Sequence, residues 1–270
     1  MKKKRLYGFL SAVLSFAFVA GAFSACKTDD GGKAEEPLYS LVIGSDVYAP
    51  YFYRDEDGEF AGIDVELAAE ACMRIGRKAE FKEIEWSEKD IFLEEGKVDC
   101  LWGSFSMTGR EDRYAWAGPY MKSRQVIAVR ENSGINSFAD LAGKSVAVQA
   151  TSKSDELFSL GADERIPALG HVYCFNDFEH IFAALKNGYA DAVAGHEIAL
   201  RERMKNNTGE YVILEETLLS VDLGAAFVKE NADLARLVYN ALLVMQKDGF
   251  TANVLKNYGI DPEKVLTVSA

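Results

Sequence analysis

Short apolar runs alternate with amphipathic stretches along most of this chain. Runs at 41–44, 79–84, 98–102, 125–129, 145–149, 171–175, 190–194, 211–214 and 223–228 read as strands. Between them lie helical patterns. Ile63, Leu67, Ala71 and Ile75 share one stripe, and Gly76 stands where that helix stops. Ser87 and Asp90 form a capping-box-like start for a helix that ends at Gly96. A one-turn helix precedes Gly143, and another helix runs from Thr151-Ser152 to about Leu160. Asn176 or Asp177 caps a helix that stops at Gly188, and further helices cover 196–204, 232–246 and 251–258. Asp57-Gly58 signals a hairpin. Strands alternating with helices predict an α/β fold with mostly parallel sheets. The series restarts near Lys144, which predicts two similar lobes. Crossings are expected near 129–131 and 220–222. One lobe then takes 38–129 and 223–270, and the other 130–222.

The start of the chain has a different texture. Lys2, Lys3, Lys4 and Arg5 precede an uncharged, apolar-leaning stretch that ends in Phe23-Ser24-Ala25-Cys26. This reads as a secretory signal over 1–25. The cysteine resembles that of a bacterial lipobox, which predicts lipidation at Cys26. The apolar stretch is also just long enough to be a membrane anchor instead. Residues 26–37 are polar and glycine-containing, as in a flexible tether. The folded part is therefore expected outside the cytoplasm, held to the membrane by a lipid anchor.

Composition narrows the function. There are 42 Asp+Glu against 30 Lys+Arg. Removing the basic start makes the rest more acidic still, so no general basic field is present for nucleic acid. Beyond Cys26, only Cys72, Cys100 and Cys174 remain, without a C-x-x-C pair. All three read as buried thiols, with a Cys72–Cys100 bridge left open. The sequence shows no metal-ligand cluster, phosphate loop or nucleophile elbow, so no cofactor and no enzymatic activity are expected.

The densest chemistry lies at Gly103-Ser104-Phe105-Ser106-Met107-Thr108-Gly109-Arg110, followed by Trp116-Ala117-Gly118-Pro119-Tyr120. Hydroxyls and backbone N–H groups leading to one arginine suit a carboxylate, which a guanidinium grips with two parallel hydrogen bonds. Tyr48 and Tyr51 follow the first strand and Trp86 opens a helix; these read as a ligand-covering wall or as core aromatics. Asp46 can face an amine or simply make a turn. Thr151 and Ser152 lie at a helix start, where free N–H groups favour an anion or where Ser152 is a plain cap.

The order and spacing of several pieces carry a family resemblance. They are Gly44-Ser45-Asp46-Val47-Tyr48-Ala49-Pro50-Tyr51, the stretch from Gly58 to Glu66, Glu85-Trp86, Gly96-Lys97-Val98-Asp99-Cys100, the 104–110 loop with Gly118-Pro119-Tyr120, and the stretch from Phe138 to Gln149. Leu185-Lys186-Asn187-Gly188-Tyr189-Ala190-Asp191-Ala192-Val193 and Lys247-Asp248-Gly249 complete the set. Over about 41–259 the chain resembles bacterial extracellular solute-binding proteins of the polar amino-acid type, receptors of ABC importers. The resemblance implies a periplasmic-binding-protein type II fold, with two α/β lobes hinged around a cleft. It implies a monomer that captures a small carboxylate-bearing solute, an amino acid or a derivative, and docks on ABC permease subunits. Arg110 would hold the carboxylate with Ser104 and Ser106, while Thr151 and Ser152 would grip it from the other lobe. A sensory module, or a dehydratase with His196 or Glu197 as acid or base, are the alternatives on the same fold.

Two departures stand out. Ungapped, Phe105 and Met107 fall where the family has hydroxyls; with one gap, Ser104, Ser106 and Thr108 do. And the family usually places an ammonium-binding aspartate where this chain has His196. A neutral imidazole cannot be its counter-ion. Either the solute is no standard α-amino acid, or Asp46 or Glu197 meets its ammonium, or His196 accepts from it as a neutral ring.

Overall fold

The computed structural model describes residues 39–266, except 162 and 208. The signal at 1–25, the tether at 26–37 and the lipidation site Cys26 lie outside the described residues.

Apolar runs become strands. β1 (Ser40–Ser45) leads to a hairpin of β2 (Tyr53–Arg54) and β3 (Phe60–Ala61). α1 (Ile63–Arg74) buries the expected stripe, and Gly76 takes the left-handed φ of 70° beyond its end. β4 (Lys78–Glu83), a 3₁₀ turn at Trp86–Glu88, α2 (Lys89–Glu94) and β5 (Cys100–Leu101) follow. The expected cap at Ser87 does not form. Ser87 lies inside the 3₁₀ turn, and Asp90 instead accepts from Tyr114 Oη and Arg113.

β6 (Ala115–Arg130) is long. After it come a 3₁₀ turn at Phe138–Leu141 with a Ser137/Asp140 capping box, β7 (Ser145–Gln149) and α3 (Lys153–Leu160). β8 (His171–Phe175), α4 (Phe178–Lys186), β9 (Ala192–His196) and α5 (Glu197–Met204) come next. The two strands expected at 211–214 and 223–228 are one strand, β10 (Tyr211–Phe227). α6 (Ala232–Lys247), α7 (Phe250–Asn257) and α8 (Pro262–Val265) end the described chain.

The eight main strands form one sheet, ordered β4-β1-β5-β10-β6-β9-β7-β8. β4, β1 and β5 are parallel, as are β9, β7 and β8. Each parallel set belongs to one lobe of a two-lobed α/β fold. β6 and β10 run antiparallel between the sets and join them. At roughly 3.3 Å per residue, strands of 16 and 17 residues are long enough to serve both lobes.

The first crossing therefore lies earlier than expected. Residues Gln125 to Val129 already pair with β9, and Ile127 and Val129 pack with Phe138, Leu141 and Val146 of the second lobe. An apolar run marks burial but not which core it enters. Among the cysteines, Cys72 and Cys100 are buried and free, so the open bridge is not made. Cys174, expected buried, is exposed and donates to Asp155 Oδ1 at 3.3 Å. β8 is an edge strand, so its residues lack the cover an inner strand would have.

Candidate functional site

The strand ends meet at a small cavity of about 30 Å³. Asp46, Tyr48, Trp86, Ser104, Ser106 and Arg110 come to it from the first lobe, and Gln149, Ser152, Lys153 and His196 from the second, with Gln125 of β6 between them. This is where an open α/β sheet carries ligands, beyond the carboxyl ends of its strands. Gly103 allows the approach: a Cβ there would stand 1.8 Å from Ser45 Oγ, so β1 and β5 can end side by side only with glycine at this turn.

The 104–110 loop is held from behind. Asp64, the second residue of α1, is buried and accepts from Ser104 N at 2.6 Å and from Tyr120 Oη at 2.8 Å. Burial pushes its carboxyl up to about 7. Ser104 takes a left-handed φ of 47°, uncommon for a residue with a Cβ, and the Asp64 bond fixes it there. Ser104, Phe105 and Ser106 all reach the cavity, whereas Thr108 Oγ1 accepts from Asp222 N of β10. Neither sequence register described this, because a tight loop lets consecutive residues face one space.

Arg110 is only 6 % exposed. Its Nη2 donates to Glu156 Oε2 at 3.1 Å and to Thr151 O at 3.3 Å, both across the cavity. Burial lowers its pKa, but a guanidinium starts high enough to stay charged. Phe105 lies 5.5 Å beneath its Cζ and packs edge-on against Trp86 at 5.0 Å. Trp86 thus lines the cavity and also belongs to the core.

Asp46 is 8 % exposed and accepts from Gln149 Nε2 at 2.5 Å. Burial pushes its carboxyl up to about 6, against the pull of the Gln149 bond. Tyr48 Oη accepts from His196 N at 3.3 Å, and its ring packs 4.5 Å from Phe178. A Cβ on Gly195 would stand 3.0 Å from that hydroxyl, so glycine makes room for the contact.

Several expected roles are not met. Tyr51 is fully buried behind Tyr48 and does not line the cavity; it belongs to the core. Thr151 does not offer its N–H to an anion, because Asp155 Oδ2 accepts it at 2.8 Å. Instead its carbonyl meets Arg110 and its hydroxyl accepts from Lys89 Nζ at 2.8 Å. Ser152 lines the cavity, but its Oγ caps α3 by accepting from Asp155 N.

His196 reaches the cavity with both ring nitrogens already engaged. Ser154 donates to Gln125 Oε1, so the Gln125 amide group donates to His196 Nε2 at 3.0 Å, and His196 Nδ1 donates to Ser123 Oγ at 2.8 Å. Burial, and then the charge of Arg110, lower its pKa to about 3. A neutral ring with both nitrogens spent is neither the ammonium's acceptor nor its counter-ion. Glu197 does not replace it, since Arg124 and Arg201 hold its carboxylate away from the cavity. Asp46 remains as the buried carboxylate of the site. Among the described residues no group of three or more His, Cys, Asp or Glu could hold a metal ion.

Gln125, Gln149, Lys89, Lys153 and Asp64 escaped the sequence reading as site residues. The two glutamines had a signal: each is a lone amide at one end of an apolar strand run. Lys89 and Asp64 had none beyond their place at helix starts.

Known proteins share this architecture. L-cystine-binding protein TcyA of Bacillus subtilis is 26% identical over 98% of this chain and 100% of its own. The histidine-binding periplasmic protein of Salmonella typhimurium is 28% identical over 94% of this chain and 96% of its own. A solved ancestral arginine-binding protein, bound to glutamine, superposes with a TM-score of 0.73 at 29% identity, over 81% of this chain and 97% of its own. The model of the bacterial extracellular solute-binding proteins, family 3, matches residues 41–261. The chain belongs to that family.

Proposed function

We propose that this protein is the solute receptor of an ABC importer and captures an amino acid or a close derivative between its lobes. The observation that carries the reading is one buried arginine and one buried carboxylate facing a single interlobe cavity. Arg110 takes the solute's carboxylate, and Asp46, rather than His196 or Glu197, takes its ammonium. Ser104, Phe105 and Ser106 shape the floor, and Tyr48 and Trp86 cover the solute's apolar part. The contacts Arg110 and Asp46 make across the cavity favour approach of the two lobes, the motion by which hinged binding proteins enclose a ligand. Relatives named for L-cystine and histidine support an amino-acid solute.

The basic start, the apolar stretch and Cys26 support export and a lipid anchor, which would keep the receptor beside its permease. Labelling of the protein by a fatty acid in cells should disappear in Cys26→Ala. Calorimetric titration against the twenty amino acids and L-cystine tests the solute. Saturable one-to-one binding of at least one, lost in Arg110→Met, is expected. No binding by any of them overturns the amino-acid reading.

A further inference from the structure

Lys89 has no part in the reading above, yet it is buried at the same place. It opens α2 and is only 4 % exposed. Its Nζ reaches across to Thr151 Oγ1 at 2.8 Å, so it stands where the lobes meet. It lies 5.3 Å from the ring centre of Trp86 and 5.9 Å from that of Phe105, both cavity residues. Phe105 is the same ring that underlies Arg110. Two cations therefore flank one aromatic floor.

Their partners differ. Arg110 has the carboxylate of Glu156, which Lys153 shares at 2.8 Å. Among the described residues no carboxylate lies within ion-pair distance of Lys89. The adjacent Asp90 is turned to Tyr114 and Arg113. Asp46 is bonded to Gln149. Arg110, Lys153 and Asp46 line the cavity; Lys89 adjoins it against the rings of Trp86 and Phe105, and Glu156 through Arg110 and Lys153. A buried ammonium is costly unless something anionic meets it. Thr151 supplies only a hydroxyl.

We propose that Lys89 determines specificity by binding a second anionic group of the solute, so that the site prefers amino acids with two carboxylates. Arg110 takes one and Lys89 the other. A dicarboxylic amino acid would give each of these two cations a carboxylate. This rests on the amino-acid reading of the same site.

The test is a set of titrations at pH 7 with L-glutamate, L-aspartate and L-2-aminoadipate, with the amides L-glutamine and L-asparagine, and with L-alanine and L-arginine. At least one two-carboxylate compound should bind about tenfold or more tighter than its amide or than L-alanine, the size of one charged hydrogen bond. Lys89→Met, which keeps the apolar stem, should abolish that preference and leave the binding of the others within about threefold. Lys89→Arg should retain it and shows that the fold tolerates change there. If amides or neutral amino acids bind as tightly as the acids, the proposal falls while the receptor reading stands. An equal loss for every compound in Lys89→Met makes the lysine a clasp on Thr151 and also overturns it. No binding to any of these compounds overturns this proposal alone; the receptor reading falls only if the full amino-acid panel is silent too.

Discussion

The two faces of the cavity differ in where their hydrogen bonds go. The charged groups of the first lobe look outward. Asp46, Lys89 and Arg110 find their short-range partners, Gln149, Thr151 and Glu156, on the opposite lobe. Other polar groups of the second lobe look inward. His196 is spent on Ser123 and Gln125, Ser152 caps its own helix, and the Thr151 N–H is held by Asp155. When the lobes part, the first face loses partners and the second keeps most of its own. On the proposed function, the first lobe would carry most of the recognition chemistry and the second a preformed lid with a few matching acceptors. Preorganised groups cost little ordering on binding, whereas outward-facing charges gain partners by it.

The sharpest way to break this comparison is to neutralise one group on each face. Arg110→Met removes two charged hydrogen bonds to a solute carboxylate, so the affinity for whichever amino acid binds should fall by about two decades or more. Ser152→Ala on the other face should change it less than about tenfold. Equal losses in calorimetric titration would erase the distinction.

A smaller effect concerns Asp46. Its carboxyl titrates near 6, so it should lose its charge, and with it the solute's ammonium partner, as pH falls through that value. Affinity should drop between pH 7 and 5, and Asp46→Asn should be weaker at pH 7 by roughly 10- to 100-fold and nearly flat with pH. A pH-independent wild type contradicts the assignment.

Stability gives the next measure. Asp64→Ala leaves Ser104 N–H and Tyr120 Oη buried without their acceptor, at a cost of about 1–3 kcal/mol each. At roughly 2–4 °C per kcal/mol, the melting temperature should fall by several degrees, and binding should weaken as the loop loosens. The sign of its pH dependence also follows. Asp46 and Asp64 titrate above 3.8 when folded, so the folded state holds more protons than the unfolded one from about pH 4 to about 7. Their contribution to stability therefore declines as pH rises through that window. Asp64→Asn should flatten the decline seen by calorimetry.

The smallest effect lies on the lid. His196 should show no titration of its ring signals between pH 5 and 8 in NMR spectra, because burial keeps it neutral. An inflection near 6.5 would mean that the ring is not enclosed by Ser123 and Gln125.

Taken alone, the sequence determined the alternation of strands and helices and the two-lobed fold, and it singled out Arg110, which the structure places at the cavity. These rest on local periodicity and on a short loop, which a chain carries in neighbouring residues. It placed most helix ends to within a residue or two, because Gly76 and Asp177 act on their own turns. The single long β10, the earlier crossing on β6, the exposure of Cys174 and the burial of Tyr51 needed the tertiary structure. Each depends on which surface meets a residue from far along the chain. The same holds for the charges. Whether Asp46, Glu197 or His196 can meet an ammonium was open in the sequence, because all three have the chemistry to attract one. The fold supports the proposed choice of Asp46, because it gives Glu197 to two arginines and His196 to Ser123 and Gln125, and buries Asp46 beside the cavity.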